Sequence, residues 1–511
     1  MNILALQPAA MFLKTEILRP KYPQKEKEIP RPAQPNPAPS LKSEPMRARL
    51  KSFLNPPNSD PFRAPRRIFW TGFLVRVLYL TLAHTYRIRP AEDHFQFGWE
   101  AGRIARALLT GYGYSDPFAN VYLAHTGPTA WLPPLYPLLL AAIFKLFGIF
   151  TPASAWVLFT IQSAFSAATA LATYEIAARI LSRRVALWSA WIWALYPAAM
   201  QYAVRWPWEM TITTALFSFT LVLALRLRGI GSFQLSVVSS QSKPLGQPQT
   251  QVTTDNRQPT TSWALFGLLW SLIALSNSTL LIFLPICGVW ILMGTWPGAP
   301  SMRSHRMGGV ASTLRGPILA AMVFLACIVP WTLRNWQVFH TFIPLRGNLG
   351  AELYMGNGPG STGLLMEYFH PFQDAEQLRL YASMGEVRYV ARQGGLAKAN
   401  IAADPAHFAA DVARRVYFFW AGVPHPSDEA WYNEIGRTLN FSFISVAGLL
   451  GLGFALRSRV PAAGLFAWAF LLLPIPYYLV TVHARFRHPL EPLICILAVH
   501  LFQSAEPRRC P

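Results

Sequence analysis

The sequence predicts an all-α membrane protein that crosses the membrane many times, and three observations support this prediction. Hydrophobic residues make up 52% of the 511 residues and charged residues only 14%, whereas about a quarter of the residues in a soluble domain are charged. Apolar runs recur along most of the chain, and several approach the roughly 20 residues that a membrane-crossing helix needs. The net charge of +21 comes largely from Lys and Arg beside these runs, which indicates membrane orientation rather than a nucleic-acid-binding face.

The apolar runs and the polar stretches between them define the organisation of the chain. Two long polar stretches, residues 87–130 and 334–438, interrupt the series, and the insert 229–261 is rich in Ser, Gln and Thr without any period. The four cysteines show no spacing typical of a disulfide framework or a zinc site. The apolar runs lie at residues 67–86, 131–149, 153–180, 185–204, 208–227, 262–276, 279–294, 316–333, 440–456, 462–481 and 488–503.

The distribution of Lys and Arg predicts which side of the membrane each loop occupies. Cytoplasmic loops carry an excess of basic residues, so the stretch 1–66, rich in Pro, Lys and Arg, is expected to be a disordered cytoplasmic tail. The basic turn at Arg183 is also expected inside, which requires an odd number of crossings between residue 130 and this turn. Two apolar runs lie there, so we predict that 131–149 stays on the outer face as an interfacial or re-entrant helix. About ten crossings result, with both termini inside.

This topology divides the chain into five segments, and we expect the protein to lie in an inner membrane with its functional face towards the periplasm or exterior. The stretch 334–438 holds about as many acidic as basic residues and shows helical spacing of apolar residues, so we expect a small helical subdomain there. The segments are a basic tail 1–66, an N-terminal transmembrane module 67–333 with outer loop 87–149 and cytoplasmic loop 229–261, an outer subdomain 334–438, C-terminal transmembrane helices 439–504, and a cytoplasmic tail 505–511.

The first outer loop carries two candidate acids, Asp93 and Glu100. Both lie in an aromatic-rich segment at the predicted membrane surface, where a carboxylate can acquire raised basicity and bind a polar ligand. A solvated loop whose acids cap helices accounts for the same residues. The local pattern does not choose between the two acids, so both stay candidates.

Basic clusters also occur on the predicted outer side, where the preference of basic residues for the inner side makes them less expected. Each Arg taken singly is explained by a side chain that reaches towards lipid headgroups, but together the clusters indicate an anion site. A phosphate is the natural ligand, because Arg binds it through two parallel hydrogen bonds. The candidate anion-binding and substrate-binding residues are Arg205, Glu209, Arg334, Arg346, Arg485, Arg487 and His488.

Other noticeable features have structural interpretations. Arg76 lies in the middle of the first predicted crossing and must find an acid or a carbonyl partner within the bundle. The glycine-rich segment Gly356–Gly360 is interpreted as a plain turn. The sequence contains no Gly-rich nucleotide-binding loop and no Asp-x-Asp pair for a metal-bound nucleotide sugar.

Several short motifs, taken in order along the chain, point to one family. They are the acidic first outer loop with Arg103-Ile104-Ala105; Leu132-Pro133-Pro134-Leu135-Tyr136-Pro137 leading to Lys145-Leu146-Phe147-Gly148; Tyr196-Pro197 with Glu209; Pro330-Trp331 with Arg334-Asn335; and Arg485-Phe486-Arg487 with Pro489. In this order the chain resembles, over about residues 65–503, the GT-C membrane glycosyltransferases. Within them it is most similar to glycosyltransferase family 39-like bacterial proteins, relatives of the protein O-mannosyltransferases and lipid A aminoarabinose transferases.

The resemblance implies a GT-C-like bundle of about ten transmembrane helices with outer juxtamembrane helices and a helical outer subdomain. It also implies transfer of a sugar from a polyprenyl-phosphate donor to a lipid, glycan or protein acceptor on the outer face. Glu100 or Asp93 would accept the proton of the acceptor, and cationic side chains would stabilise the departing lipid phosphate. No cofactor is expected, since Arg can stabilise a monophosphate leaving group, and a divalent metal stays an open alternative; the expected partners include membrane lipids but no nucleic acid.

The sequence departs from the family pattern at two positions. Relatives carry an acid seven positions before the Ile-Ala-like pair, where this chain has Phe97, so the base assignment stays divided between Asp93 and Glu100. The aminoarabinose transferases carry a Lys where this chain has Leu132, so other groups must bind the phosphate, such as Arg205, Arg334 or Arg487. A polytopic transporter or lipid flippase is the alternative function, although the chain shows no internal repeat typical of transporters.

Overall fold

The computed structural model describes residues 63–88, 97–120, 123–231, 260–295, 310–424 and 431–504. Several predictions fall partly or wholly outside these residues: the tail 1–66 except its last four residues, most of the loop 229–261, the tail 505–511 and the candidate base Asp93. The remaining predictions can be compared with the structure.

The described residues form an all-α structure, which confirms the predicted class for this part of the chain. They contain no β-strand, and one isolated bridge joins Ser115 to Pro128. Short 3-10 helices lie at Ser278–Phe283, Glu367–Phe369 and Ala484–Leu490. The α-helices are α1 (Arg63–Leu82), α2 (Glu100–Leu109), α3 (Leu135–Phe147), α4 (Pro152–Ile180), α5 (Arg183–Leu195), α6 (Pro197–Val204), α7 (Met210–Leu227), α8 (Thr260–Ala274), α9 (Leu284–Thr295), α10 (Val310–Phe339), α11 (Leu349–Asn357), α12 (Ala375–Met384), α13 (Glu386–Ala403), α14 (Pro405–Ala421), α15 (Trp431–Arg457), α16 (Ala463–Leu472), α17 (Ile475–Leu479) and α18 (Glu491–Ser504).

Among the described residues, four helices are long and apolar enough to cross a membrane: α4, α7, the Leu314–Phe339 part of α10 and the Glu434–Arg457 part of α15. Shorter apolar helices lie at Leu135–Phe147, Thr260–Ala274, Ser278–Gly294 and Ala463–Leu479. The protein is therefore a helical membrane protein, and the number of crossings predicted from charge stays a prediction. Helix α3 has 13 residues and is about 20 Å long, shorter than the roughly 30 Å hydrocarbon core.

Helix α4 forms the centre of the N-terminal module. It packs against α1, α5 and α7, and it also contacts α18 from the C-terminal end of the chain. Its buried face is rich in Ala, Ser and Thr, whose small side chains let helix backbones approach closely. Pro152 in its first turn and the Thr151 side chain, which accepts a hydrogen bond from the Ser154 amide, define where this helix begins.

Arg76 finds the carbonyl partners that its position in an apolar helix requires. Its side chain is fully buried and donates to the carbonyl oxygens of Ala194 at 2.6 Å and Trp193 at 3.3 Å, at the end of α5. The Trp193 carbonyl would normally bind the amide of residue 197, but Pro197 has no N–H to give. Arg76 therefore donates to the carbonyl that the missing N–H of Pro197 leaves unpaired, and its role is structural.

The region between α10 and α15 contains a helical subdomain, here called the loop subdomain (residues 340–424). Helices α11 and α13 pack against each other where Gly350 meets Gly394, since a Cβ on Gly350 would overlap the Val390 carbonyl. Glu386, at the start of α13, fastens the subdomain to the segment before α3. Its buried carboxylate accepts hydrogen bonds from the Thr129 hydroxyl, the Ala130 amide and the Tyr381 hydroxyl.

The glycine-rich segment at 356–360 does more than turn the chain. Gly356 and Asn357 belong to the last turn of α11, and a Cβ at Gly356 would overlap the carbonyl oxygen of Val480. The Asn357 side chain donates to the carbonyls of Leu479 and Val480, and Arg415 binds both Asn357 and the Gly356 carbonyl. The interpretation as a plain turn was therefore incomplete, because this segment joins the loop subdomain to the C-terminal helices.

Candidate active site

The ends of many helices line one cavity of about 370 Å³. It is lined by six parts of the chain: the start of α2, the start of α3, the α6–α7 connection, the connection from α8 to the first 3-10 helix, the loop subdomain, and the segment from α17 to the last 3-10 helix. Its acidic and basic lining residues are Glu100, Glu209, Arg346, Glu352, His370, His483 and Arg485. Aromatic, aliphatic and uncharged polar side chains, among them Tyr136, Asn277 and Thr279, form the rest of the wall, so the cavity combines polar groups with an apolar surround.

Glu100 is held at this cavity by an unusual backbone at the start of α2. Phe97, Gly98 and Trp99 all have positive φ angles, of 63°, 79° and 52°, a conformation that costs energy for bulky residues. Gly98 also lies against the α6–α7 connection, since a Cβ there would overlap the Pro207 carbonyl oxygen. As a result Glu100 occupies the first position of α2, where the helix dipole favours a negative charge.

The Glu100 carboxylate is bonded to a residue that the sequence analysis did not single out. Its Oε1 lies 3.1 Å from Nε2 of His370, and the two side chains are only 15% and 8% exposed. Burial raises the pKa of Glu100, but the hydrogen bond from His370, together with the charge of Arg103, outweighs it and lowers the pKa below its usual value. The carboxylate is therefore ionised at neutral pH.

His370 could not be found from sequence because it lies 270 positions from Glu100, in a loop whose local pattern carries no motif. It is 6% exposed and lies edge-on to Trp99, Phe118 and Trp131, with ring centroids 5.0, 5.3 and 6.1 Å away. Only the packing of the loop subdomain brings it to the start of α2.

Arg485 is the arginine of the cavity that keeps a hydrogen-bond donor available. Its guanidinium lies over Trp208 at 4.3 Å and near Phe486 at 5.3 Å. Its Nε is shielded from the cavity, and its two terminal nitrogens make no hydrogen bond with another described residue. Because Arg485 lines the cavity, these terminal nitrogens are donors suited to an anion.

Arg346 also lines the cavity, but its charge is largely engaged. It donates to Oε1 of Glu352 at 2.8 Å and to the Trp131 carbonyl at 3.2 Å. Asn348 donates to the same Glu352 oxygen at 2.9 Å. Arg346 therefore orders the rim formed by the loop subdomain, and it contributes less free positive charge than Arg485.

Glu209 is the second acid of the cavity among the sequence candidates. It directly precedes α7 and, unlike Glu100, its carboxylate makes no hydrogen bond or ion pair with another described residue. Two of its neighbours across the cavity are Tyr136 and Tyr477, whose ionisation its charge opposes. The cavity therefore contains one carboxylate fixed by a histidine and one that is open to a ligand.

Two other candidates lie outside the cavity lining. Arg334 is built into the protein: its guanidinium donates to the carbonyls of Thr129 and Tyr114, at 2.6 and 2.7 Å, and lies near several aromatic rings. Arg205 is exposed and its guanidinium lies 5.6 Å from the Trp206 ring. Arg334 thus links α10 to the segment before α3, while Arg205 occupies the surface next to the cavity.

Arg487 and His488 form a separate, fully buried cluster with Glu491. Arg487 lies over the Phe441 ring at 3.3 Å and donates to the Ser445 hydroxyl at 2.5 Å. His488 Nδ1 is 2.8 Å from Glu491. Arg487 and His488, which the sequence predicts as anion-binding residues, therefore do not line the cavity, because the short 3-10 helix turns Arg485 towards the cavity and Arg487 into the bundle.

The described part of the chain contains no group of three or more His, Cys, Asp or Glu side chains placed to hold a metal ion.

Comparisons with known proteins give weak similarity only. No protein-family model and no curated protein matches the chain. Among solved structures, the oligosaccharyltransferase of Archaeoglobus fulgidus in the apo form is similar, with 13% identity, a TM-score of 0.47, and coverage of 85% of this chain and 50% of that one. The enzyme in complex with an inhibitory peptide and a dolichol-phosphate gives 14% identity, a TM-score of 0.45 and the same coverage. The chain thus spans about half the length of these enzymes, and TM-scores below 0.5 do not assign it a family.

Proposed function

We propose that this protein is a membrane glycosyltransferase that transfers a sugar from a polyprenyl-phosphate donor to a lipid, glycan or protein acceptor on the outer face of a bacterial inner membrane. The observation that carries the proposal is the content of one cavity: an ionised, buried carboxylate at Glu100 and a cation at Arg485 with an available donor. A base and a phosphate anchor within one cavity are the two groups that this transfer requires.

The reaction assigns a role to each of these groups. The acceptor hydroxyl or amine attacks the anomeric carbon, its bond to that carbon forms, and its proton passes to the Glu100 carboxylate. The bond between the anomeric carbon and the phosphate oxygen breaks, and polyprenyl phosphate leaves with the electron pair. Arg485 stabilises the negative charge on that phosphate. The open carboxylate of Glu209 is suited to accept hydrogen bonds from sugar hydroxyls.

The surroundings of the cavity agree with a lipid-linked donor. Helices α4 and α7 are long and apolar enough to cross a membrane, and Glu209 and Met210, at the start of α7, line the cavity. A donor whose prenyl chain lies in the bilayer would therefore bring its phosphate to the level of the cavity. A soluble nucleotide sugar would gain nothing from this placement.

Mass spectrometry of lipid-linked sugars and glycans from a deletion strain tests the proposal. Deletion should abolish one glycan modification and cause its polyprenyl-phosphate sugar to accumulate, and the intact gene should reverse both changes. An unchanged glycan profile would refute glycosyl transfer. Accumulation of the donor on the cytoplasmic leaflet only, with transfer by other enzymes intact in permeabilised cells, would instead favour the lipid flippase.

A further inference from the structure

The contact between the loop subdomain and the start of α2 is built around the proposed base. His370 bonds Glu100 at 3.1 Å. Arg103, one turn further along α2, lies over the Phe372 ring at 4.2 Å. Trp99 contacts both His370 and Phe372, with ring centroids 5.0 and 5.3 Å apart. The turn 370–372 is therefore held against α2 by several contacts, of which one reaches the carboxylate.

A second hydrogen bond determines the tautomer of the neutral His370 ring. The backbone N–H of Phe372 donates to Nδ1 at 3.2 Å, so Nδ1 must carry a lone pair. In the neutral ring the proton then resides on Nε2, which donates it to Glu100. The two nitrogens of the ring therefore have different partners, the Glu100 carboxylate at Nε2 and the Phe372 amide at Nδ1.

The side chain has little freedom to adopt another orientation. Phe118 and Trp131 meet the ring edge-on, and the residue is 6% exposed. Both aromatic residues also pack against Tyr381 of the loop subdomain, with ring centroids 4.8 and 6.1 Å apart. The position of the imidazole therefore depends on the position of the loop subdomain, because Phe118 and Trp131 contact both His370 and Tyr381.

We infer that His370 is a positioning residue that orients the Glu100 carboxylate, so that the base is held in its reactive position only when the loop subdomain is seated on α2. This inference rests on the proposed function. His370 does not relay the proton, because its second nitrogen is occupied by the Phe372 amide. Proton release from Glu100 must then occur through the cavity, after the product has left.

Other ionisable groups around Glu100 bear on its titration. On its own helix Arg103 lowers the pKa of Glu100, as His370 does from the loop subdomain, and burial raises it. The remaining acidic and basic residues of the cavity wall are Glu209, Arg346, Glu352, His483 and Arg485, and its tyrosines are Tyr136 and Tyr477. They are unchanged in the variants proposed next, so a difference between those variants reports on His370.

Two substitutions separate positioning from proton relay. His370→Ala removes the donor, and we expect kcat to fall about 10- to 100-fold, the cost of a slightly misplaced catalytic group, with little change in the KM for the donor. The acid limb of the pH–rate profile should move to higher pH, because the lost hydrogen bond no longer favours ionised Glu100. His370→Gln places an amide N–H near the position of Nε2 and should restore most of kcat. His340→Asn, at an exposed histidine of the same subdomain, is the matched control.

An infrared titration of the purified full chain in nanodiscs provides a readout independent of transfer. The carboxyl band that disappears in Glu100→Gln reports the protonation of Glu100, and its midpoint should rise in His370→Ala and rise less in His370→Gln. An unchanged midpoint in His370→Ala, or a His370→Gln variant as inactive as His370→Ala, would overturn the inference. If the wild-type protein catalysed no transfer, the proposed function would fail while the infrared midpoints still decided the role of His370.

Discussion

At the scale of single residues, the charged groups of this protein divide into those that hold the fold and those that face the cavity. Arg76, Arg334 and Arg487 each direct several donors to carbonyls or buried side chains. Arg485 instead stacks on Trp208 at the cavity and keeps a donor available. The number of internal partners, rather than residue type, therefore distinguishes a structural arginine from a candidate phosphate ligand.

Replacement of Glu100 by Gln tests the base assignment. The amide keeps the shape of the carboxylate but cannot take a proton, so kcat should fall about 10²- to 10⁴-fold while donor binding persists. Glu209→Gln should mainly raise the KM for the donor, and Glu376→Gln, at an exposed position, is the control. Transfer assays with a labelled polyprenyl-phosphate sugar measure all three. Full activity in a double variant carrying Asp93→Asn and Glu100→Gln would eliminate both candidate bases.

Replacement of Arg485 tests the phosphate anchor. Arg485→Ala should weaken donor binding by about 10- to 100-fold, since hydrogen bonds to charged groups contribute about 1.5–3 kcal/mol. Arg485→Lys keeps the charge without the planar fork and should have an intermediate effect. Arg379→Ala, an exposed arginine of the loop subdomain, should bind like wild type in equilibrium binding of the donor. Equal donor affinity in Arg485→Ala and wild type would contradict the assignment.

The sequence predicted residue types better than partners. It selected Glu100, Glu209, Arg346 and Arg485, which the structure brings to one cavity, because acids and arginines at the ends of apolar runs are unusual. It could not predict His370, since that contact depends on long-range packing of the loop subdomain. It also could not separate Arg485 from Arg487, because the direction of each side chain is set by a short 3-10 helix that no local pattern indicates.

At the scale of elements, two hydrogen-bonded clusters, here called clasps, connect the loop subdomain to the membrane module. The Glu386 carboxylate joins the start of α13 to Thr129 and Ala130, just before α3. Asn357 and Arg415 join the end of α11 and helix α14 to the last carbonyls of α17. Helical spacing was sufficient to predict a helical subdomain, whereas these clasps involve backbone groups that carry no sequence signal.

Replacement of Glu386 by Gln should loosen the first clasp. The carboxylate accepts three hydrogen bonds, and an amide must turn one N–H towards a donor, at a cost of about 1–3 kcal/mol. Thermal unfolding followed by tryptophan fluorescence should therefore show a lower Tm. Glu376→Gln, an exposed acid of the same subdomain, serves as the control, and equal Tm values for the two variants would contradict a stabilising clasp.

The same clasp predicts a pH dependence of stability. Burial raises the pKa of Glu386 even though Thr129, Ala130 and Tyr381 donate hydrogen bonds to it. The folded protein then binds this proton more tightly than the unfolded chain, so protonation favours folding and stability falls as pH rises from the ordinary carboxyl value to the raised one. Subtraction of the Glu386→Gln melting curves from those of wild type should reveal this loss. If the stability of wild type relative to Glu386→Gln instead increased with pH in that window, the prediction would be wrong.

At the scale of the whole molecule, the cavity constrains the topology. Segments next to α2, α3, α7, α8, α11 and α17 all line it, so they share one side of the membrane. The charge pattern independently predicts that the stretches 87–149 and 334–438 lie on one side. The two arguments agree in grouping these segments, although neither by itself determines the number of crossings.

Cysteine labelling of intact spheroplasts can determine the side. Helix α3 is about 20 Å long and too short for a straight crossing, whereas α4, with 29 residues, is about 43 Å long and crosses with length to spare. Ala153→Cys, at the exposed start of α4, should therefore react with a membrane-impermeant maleimide from outside, and Ser182→Cys only after permeabilisation. Leu349→Cys, 66% exposed at the cavity rim, should label with Ala153→Cys because both belong to the side that contains the cavity. Protection at 153 with labelling at 182 would show that residues 131–149 cross the membrane, and it would move the cavity to the cytoplasmic face.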